Sequence, residues 1–313
     1  MNQLKKTYFL LILVPLFWGG AFTAGRLAVG EVPPFTVAFL RFSLAALLLI
    51  PVMLIWDPKG YKPQLKQLPA LFLLGLTGVF SYNALFFSGL VHTTAISGSL
   101  IIAANPMATS VLSFFILKEK FTPLQIIGII VSFTGVTYVI TEGSLTTLQS
   151  LSFNIGDIMM VGAMLSWAVY SIVGKKVMEG LSAVTSTTYA IIIGALLFMP
   201  FYLLEARDFS LGQISINTWI SIVYMALFAS VLGFVWWYQA IKQIGASKAA
   251  VFVNLIPIFS IIIASFFGET VSLNQLLGAA LVITGVYLTA KPAKSIVAQP
   301  ATGQDKLKIP HNE

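Results

Sequence analysis

The chain has 313 residues, of which 58% are hydrophobic and only 9% charged, and its mean hydropathy is +0.91. A soluble domain carries roughly a quarter charged residues, so the composition excludes one, and the formal net charge of +7 has to be mapped before it is read as a nucleic-acid footprint. There is no cysteine, which excludes disulfides, thiolate catalysis and Cys-ligated metals.

Apolar stretches of about 20 residues, the length that crosses a bilayer, follow one another almost end to end. They are predicted near residues 8–29, 35–56, 69–91, 94–117, 123–141, 156–176, 183–204, 217–241, 246–267 and 273–290. The first runs too long for a signal-peptide core and no small-residue cleavage site follows it, so it is expected to be a retained helix. It ends near Gly25-Arg26, and the sixth stretch ends similarly near Gly174-Lys175. The second helix starts after Pro33-Pro34 and finishes at Pro51; the seventh finishes at Pro200. Tight links, His92-Thr93-Thr94 and Gly245-Ala246-Ser247, join the third helix to the fourth and the eighth to the ninth, and short links force antiparallel neighbours.

Pro106 and Pro257 fall within the fourth and ninth stretches. A mid-helix proline removes a backbone donor and expels the carbonyl four residues back from its bond. In lipid that carbonyl must find a partner or face a cavity, so both prolines are candidate hinges, with Asn105 and Asn254 as polar groups beside the breaks. A plain kink re-satisfied by neighbouring helices is the alternative. Thr122 and Ser272 stand where an N-cap hydroxyl belongs, before the fifth and tenth helices. Gly128/Gly135 and Gly278/Gly285 are seven residues apart and share a face, which lets helices approach closely; these two helices read as packing elements. The polar tail from Lys291 to Glu313 carries three prolines and is expected to be disordered.

The chain is also written twice. Trp18, Gly25, Thr36 and Pro51 recur at one constant offset as Trp167, Gly174, Thr185 and Pro200. Pro106 matches Pro257, and Glu119-x-x-Thr122-x-x-Gln125-x-x-Gly128 matches Glu269-x-x-Ser272-x-x-Gln275-x-x-Gly278. A unit with an odd number of crossings enters the membrane from the opposite side when copied, so the duplication predicts two inverted-topology five-helix repeats, 1–145 and 152–290, in an all-α integral membrane protein with ten transmembrane helices. With the N-terminus in the cytoplasm all fifteen lysines fall on the inner side, while Glu31, Glu142, Asp157, Glu205, Asp208 and Glu269 fall outside with Arg207. This positive-inside bias predicts two cytoplasmic termini and explains the net charge without nucleic acid.

The tandem units, the Trp18-Gly19 and Trp167-Ala168 pairs, and the stretches from Pro106 to Glu119 and from Pro257 to Glu269 together resemble the EamA family of the drug/metabolite transporter superfamily, over nearly all of residues 8–290. The resemblance implies a ten-helix carrier of the bacterial inner membrane, with helices 1–4 and 6–9 around a central cavity and helices 5 and 10 peripheral. It also implies export of amino acids, metabolites or drugs.

Arg41 lies about two turns into the second helix, where a charge costs roughly 2.5–3.5 kcal/mol at mid-membrane on insertion scales and less near the interface. It is a candidate partner for a substrate carboxylate; the alternatives are snorkelling to headgroups and pairing with Glu31. Arg26, nearer its helix end, reads as interfacial. Glu119 and Glu269 are expected to favour the N-terminal dipole of the helix that follows each rather than to carry protons. Trp18 is too deep for an interfacial belt and is a candidate cavity residue. Tyr82 and Asn83, Trp167 and Tyr170, and Trp237 and Gln239 add candidates from the third, sixth and eighth helices; Trp236 and Trp237 point to different sides, so at most one lines a cavity. Asn83 matches Phe234 and Phe86 matches Trp237 by repeat, which predicts an asymmetric cavity. His92 and His311 lack metal-ligand company, and no cofactor is expected.

No Gly-x4-Gly-Lys-Ser/Thr motif is present, so ATP is not the direct energy source. The reading is a secondary transporter exporting small metabolites, amino acids or related carboxylate-bearing compounds above all, by alternating access, driven by a proton gradient or the substrate's own gradient. A drug efflux carrier and an uptake permease are the alternatives, and the sequence leaves substrate identity and oligomeric state open. An intramembrane enzyme would need paired Asp, a Ser/His pair or metal ligands at depth, none of which is visible.

Overall fold

The computed structural model describes residues 3–58, 62–117, 122–150, 153–177, 181–244, 252–253 and 255–289, and within these it is helical with no strand. Helix α1 spans Gln3–Val29 and α2 spans Pro34–Trp56. Helix α3 occupies Leu65–His92 and α4 consists of Ala95–Ala103 and Asn105–Leu117. Then follow α5 (Pro123–Ile140), α6 (Ile155–Val177) and α7 (Ala183–Glu205). Helix α8 is built from Ile216–Tyr224, Met225–Leu232 and Gly233–Ile244, and α9 (Ile256–Phe266) and α10 (Leu273–Thr289) complete the order. Among the described residues, seven helices are long and apolar enough to cross a membrane, and three further apolar helices are shorter. The link Gly245-Ala246-Ser247, Glu119, Asn254 and the tail fall outside the described residues.

The local chemistry sets the ends. Pro34 opens α2 with its ring already at helical φ. Thr122 and Gln125 form a reciprocal capping box at α5, and Ser272 and Gln275 form its counterpart at α10. Helix α1 runs one turn beyond Gly25-Arg26. Arg26, in that last turn, donates to the Leu90 and Val91 carbonyls at the end of α3 (2.8 and 3.1 Å), so it is a helix-end tie rather than a headgroup anchor.

The two prolines also differ from the expectation of mid-helix kinks. Helix α4 breaks outright at Ala104, and Pro106 sits in the first turn of the next segment; Pro257 likewise sits in the first turn of α9. Starting a new helix at the proline removes the clash with the carbonyl four residues back. Two other irregularities are not visible in the sequence. The middle of α3, Gly75–Ser81, and the middle of α8, Met225–Leu232, are wound as π-helix.

The packing is reciprocal. Helix α1 packs on α8 and α9, and its sequence counterpart α6 packs on α3 and α4. Helices α2 and α7 pair with each other, as do α5 and α10. Both self-pairs run antiparallel. The start of α2 meets the end of α7, where Glu205 accepts bonds from the Thr36 nitrogen and Oγ1 (2.7 and 2.8 Å) and from the Phe35 nitrogen (3.3 Å). The end of α2 meets the start of α7, where Asp57 accepts from Thr185 Oγ1 at 2.7 Å. Thr36 and Thr185 are the repeated threonines, so one tie reproduces the other.

The α5–α10 pair rests on glycine. A Cβ on Gly135 would come within 2.7 Å of the Val282 nitrogen, and one on Gly285 would strike the Ser132 nitrogen. The pair is peripheral: 28% of the apolar window of α5 is buried, against 56% for α1. Its outward side chains, such as Phe133 and Leu276, are exposed, as lipid-facing residues are.

Two further helix starts are closed by carboxylates from elsewhere. Glu269 accepts from the Ala95 and Ile96 nitrogens at the start of α4 (3.0 and 3.2 Å). It therefore serves a helix in the other half and not the following helix α10, because α10 already has its own Ser272 cap. Glu31 accepts from the Ser215 nitrogen (2.6 Å), Ser215 Oγ (2.7 Å) and Thr218 Oγ1 at the start of α8. The bonds from Thr218 and Ser215 hold the Glu31 carboxyl below the usual carboxylate range. The tie is therefore fully present above that range and is lost only as pH falls through the depressed value.

Gly135→Leu should lower stability by about 1–3 kcal/mol through overpacking against backbone that cannot give way, read as a lower midpoint of thermal unfolding. Phe133→Leu on the exposed face of the same helix should leave the midpoint unchanged.

Candidate functional site

The site grows from the two π segments. A π turn leaves carbonyls without their usual helical donors, and such bulges gather at functional sites. In α8 the Ala229 carbonyl accepts from Trp18 Nε1 at 3.0 Å. In α3 the Thr77 carbonyl accepts from Ser166 Oγ at 2.9 Å, and the Val79 carbonyl accepts from Asn83 Nδ2 at 2.8 Å. Each π segment is thus held by the first helix of the opposite half, α1 for α8 and α6 for α3. Gly78 makes room for this approach: a Cβ there would collide with the Tyr170 ring.

Arg41 bridges the two segments. Its Nε donates to Ser230 Oγ in the π segment of α8 (3.1 Å), and its Nη1 donates to Asn83 Oδ1 on α3 (3.3 Å). The guanidinium also lies 5.7 Å from the Phe87 ring centroid. Arg41 is 7% exposed. It neither snorkels outward nor pairs with Glu31, whose oxygens are taken by Ser215 and Thr218. A guanidinium offers five N–H donors. Among the described residues, two acceptors meet it and no carboxylate does.

An aromatic wall adjoins this polar centre. Trp18 and Trp167, equivalent by repeat, converge on Phe234 with ring centroids 5.9 and 6.2 Å from it. Trp18 also meets Trp237 (5.5 Å), and Trp167 meets Tyr82 and Tyr170 (both 5.1 Å). Trp236 turns away to Phe17, so the two neighbouring tryptophans do point to different sides. Wall and centre are joined through consecutive residues, Tyr82-Asn83 on α3 and Ala229-Ser230 on α8.

Of the residues singled out in the sequence, Trp18, Arg41, Tyr82, Asn83, Trp167, Tyr170 and Trp237 come together here. Asn105 does not: its Nδ2 donates to the Met164 carbonyl on α6 (3.0 Å) and its Oδ1 accepts from Thr109 (3.0 Å). Its amide is spent on securing the break in α4. The side chain of Gln239, like Asn254, lies outside the described residues. Ser230 and Phe234 complete the centre and the wall; the sequence gives Phe234 only as the partner of Asn83, and Ser230 carries no signal because one serine in an apolar run is ordinary.

Over residues 5–141 and 154–291 the sequence matches the EamA-like transporter family. The chain belongs to this family. The protein named "Uncharacterized transporter YyaM" of Bacillus subtilis is 39% identical over 284 residues, which cover 90% of this chain and 92% of that one. An "Uncharacterized transporter" of Archaeoglobus fulgidus is 32% identical over 288 residues, 91% of this chain and 97% of that one. At 27% identity over 288 residues, 91% of this chain and 94% of the other, the chain is similar to the "Probable terminal-alkyne amino-acid exporter" of Streptantibioticus cattleyicolor. A solved crystal structure superposes with a TM-score of 0.64 at 16% identity, covering 91% of this chain and 97% of that one, which is agreement in fold. The chain is accordingly a membrane transporter and not an enzyme.

In this EamA-like protein no carboxylate among the described residues pairs with the Arg41 charge. Asn83→Asp would supply one at the position where Oδ1 already accepts. The substitution also removes the donor to the Val79 carbonyl, so the expected outcome is loss of transport with a thermal midpoint lowered by less than in Asn83→Ala, which loses both bonds, measured on the same purified and reconstituted protein.

Proposed function

We propose that this EamA-like protein is a secondary transporter that exports small carboxylate-bearing metabolites, amino acids above all, by alternating access. The observation that carries the substrate class is the Arg41 guanidinium, buried between Asn83 and Ser230 without a carboxylate among the described residues. A charge in such surroundings is costly unless paired, and a planar guanidinium matches a carboxylate with two parallel hydrogen bonds. The aromatic wall formed by Trp18, Phe234, Trp167 and Tyr82 offers apolar faces to the rest of such a molecule. The relative named as an amino-acid exporter supports the same class.

The architecture proposed for this cycle is ten membrane-crossing helices in two inverted five-helix halves, 1–145 and 152–290, in the bacterial inner membrane with both termini in the cytoplasm. Antiparallel pairing of the repeat-equivalent helices α2 with α7 and α5 with α10 supports the inversion. In the sequence every lysine outside the tail flanks an apolar stretch on the side assigned to the cytoplasm, with Lys5 and Lys6 before the first, while the connecting segments 30–33, 93–94, 141–154, 206–215 and 267–272 contain none; this supports the orientation. The energy source is a proton gradient or the substrate's own gradient, since no nucleotide-binding motif is present.

The test is efflux of a preloaded, labelled amino-acid panel from cells overexpressing the protein, against vector controls. One or a few amino acids should leave faster. For those, Arg41→Ala removes a charge-assisted interaction of about 1.5–3 kcal/mol, roughly a ten- to 150-fold loss of transport rate at low substrate. Unchanged efflux by the Arg41→Ala protein would remove the carboxylate reading, and a fall in intracellular uptake only on deletion would redirect the function to import.

A further inference from the structure

The helix ends without lysines hold a set of ties that the transport site does not use. The starts of α2, α4 and α8 are each closed by a carboxylate from the other half: Glu205 at α2, Glu269 at α4 and Glu31 at α8. A fourth contact also joins the halves at this end, with Thr93 Oγ1 donating to Oδ1 of Asp157 in the first turn of α6 (2.5 Å). Carboxylates at helix N-termini meet both unpaired N–H groups and the positive end of the dipole. None of these four carboxylate contacts lies within one half, so the halves cannot separate at this end without breaking them.

These ties differ from the contacts at the transport site in one respect that matters for motion. A cavity of about 450 Å³ lies among them, lined by Gly30, Glu31, Pro33, Pro34, Glu205 and Asp208. Glu31 itself is exposed. Water therefore stands ready to replace the Glu31 and Glu205 bonds as they break, and the free-energy cost of their release is modest, as for other solvent-exposed charges. Val37, on the same face of α2 as Arg41 and one turn nearer this end, has no exposed surface.

We propose that the lysine-free end is the outer gate of the transporter and that Glu31, Glu205 and Glu269 are its latches, closed in this structure. The designation as outer rests on the orientation given under Proposed function; the latch itself does not. Opening to the outside exchanges the carboxylate-to-helix bonds for water and exposes the face of α2 that carries Val37 and Arg41. The latches set the balance between the outward-closed and outward-open states and take no part in substrate recognition.

The chain has no cysteine, so a single reporter is clean. Val37→Cys would be introduced alone and together with Glu31→Gln and Glu205→Gln, and labelled with a membrane-impermeant thiol reagent in intact cells and in inside-out vesicles. With the latches intact, labelling is slow in both. In the latch variant the rate in intact cells should rise about tenfold, the factor given by ~1.4 kcal/mol of lost closed-state stabilisation. Should the double variant fail to fold, Glu31→Gln and Glu205→Gln singly should each raise the rate by a smaller factor. An unchanged rate in folded latch variants, with the same thiol fully reactive after denaturation, overturns the proposal. A rise confined to inside-out vesicles keeps the latch and overturns the orientation. The readout needs no substrate, so failure to find a transported amino acid leaves it standing.

Discussion

The structure depends on one constraint: in an apolar medium every backbone group that leaves a regular helix must find a partner within the protein. This chain leaves regular helix repeatedly, at the ends, at the break in α4 and in two π segments. Local hydroxyl caps close several helix starts, and at several of the remaining irregular points the partner comes from the other half. Glu205, Glu269 and Glu31 close helix starts across the halves. Trp18 and Ser166 satisfy π-segment carbonyls across the halves, and Asn105 reaches α6 from the break in α4. The two halves are thereby joined by hydrogen bonds at irregular points, with close glycine packing in the α5–α10 pair.

The same constraint builds the site. A π turn exposes carbonyls and offsets the side chains that follow it, and this is where Asn83 and Ser230 reach the Arg41 guanidinium. Because Arg41 touches both segments, its interactions report on both halves at once. A carboxylate that takes the place of Ser230 on Arg41 would loosen one half from the other, which is the link between binding and alternating access that the proposed cycle requires. The arrangement also makes the symmetry of the fold and the asymmetry of the site compatible. Trp18 and Trp167 are equivalent and meet on one ring, Phe234, but Phe234 is the counterpart of Asn83, so the polar group stands on α3 and an aromatic one on α8.

Much of this was legible in the residues. Long apolar runs and few charges give the helices, and a charged residue inside such a run marks Arg41 without further help. The glycines seven apart mark α5 and α10 as close-packing helices, though not as each other's partner, and Thr122 and Ser272 mark their capped starts. What escaped is long-range or irregular. Nothing local distinguishes Gly75–Ser81 or Met225–Leu232 as π-wound, since the winding is stabilised by Trp18 and Ser166 from distant helices. Glu269 was read correctly as a helix-dipole partner, but the helix is α4 and not α10, because sequence proximity favours the neighbour while packing brings Ala95 closer. Asn105 looked like a cavity residue, and its amide is instead consumed by the Met164 carbonyl and Thr109. The polar residue next to a proline break has a structural duty to discharge first.

The claim on which the account turns is that Arg41 receives a carboxylate beside a tryptophan-rich wall, and it can be measured without transport. Purified protein in lipid nanodiscs would be titrated with a panel of amino acids and their carboxamides, following intrinsic tryptophan fluorescence. The account predicts saturable changes for one or more of the acids and none for the matching amides at the same concentrations, since the amide keeps the side chain and loses the charge. Equal binding of acid and amide would contradict it and would assign recognition to the aromatic wall alone.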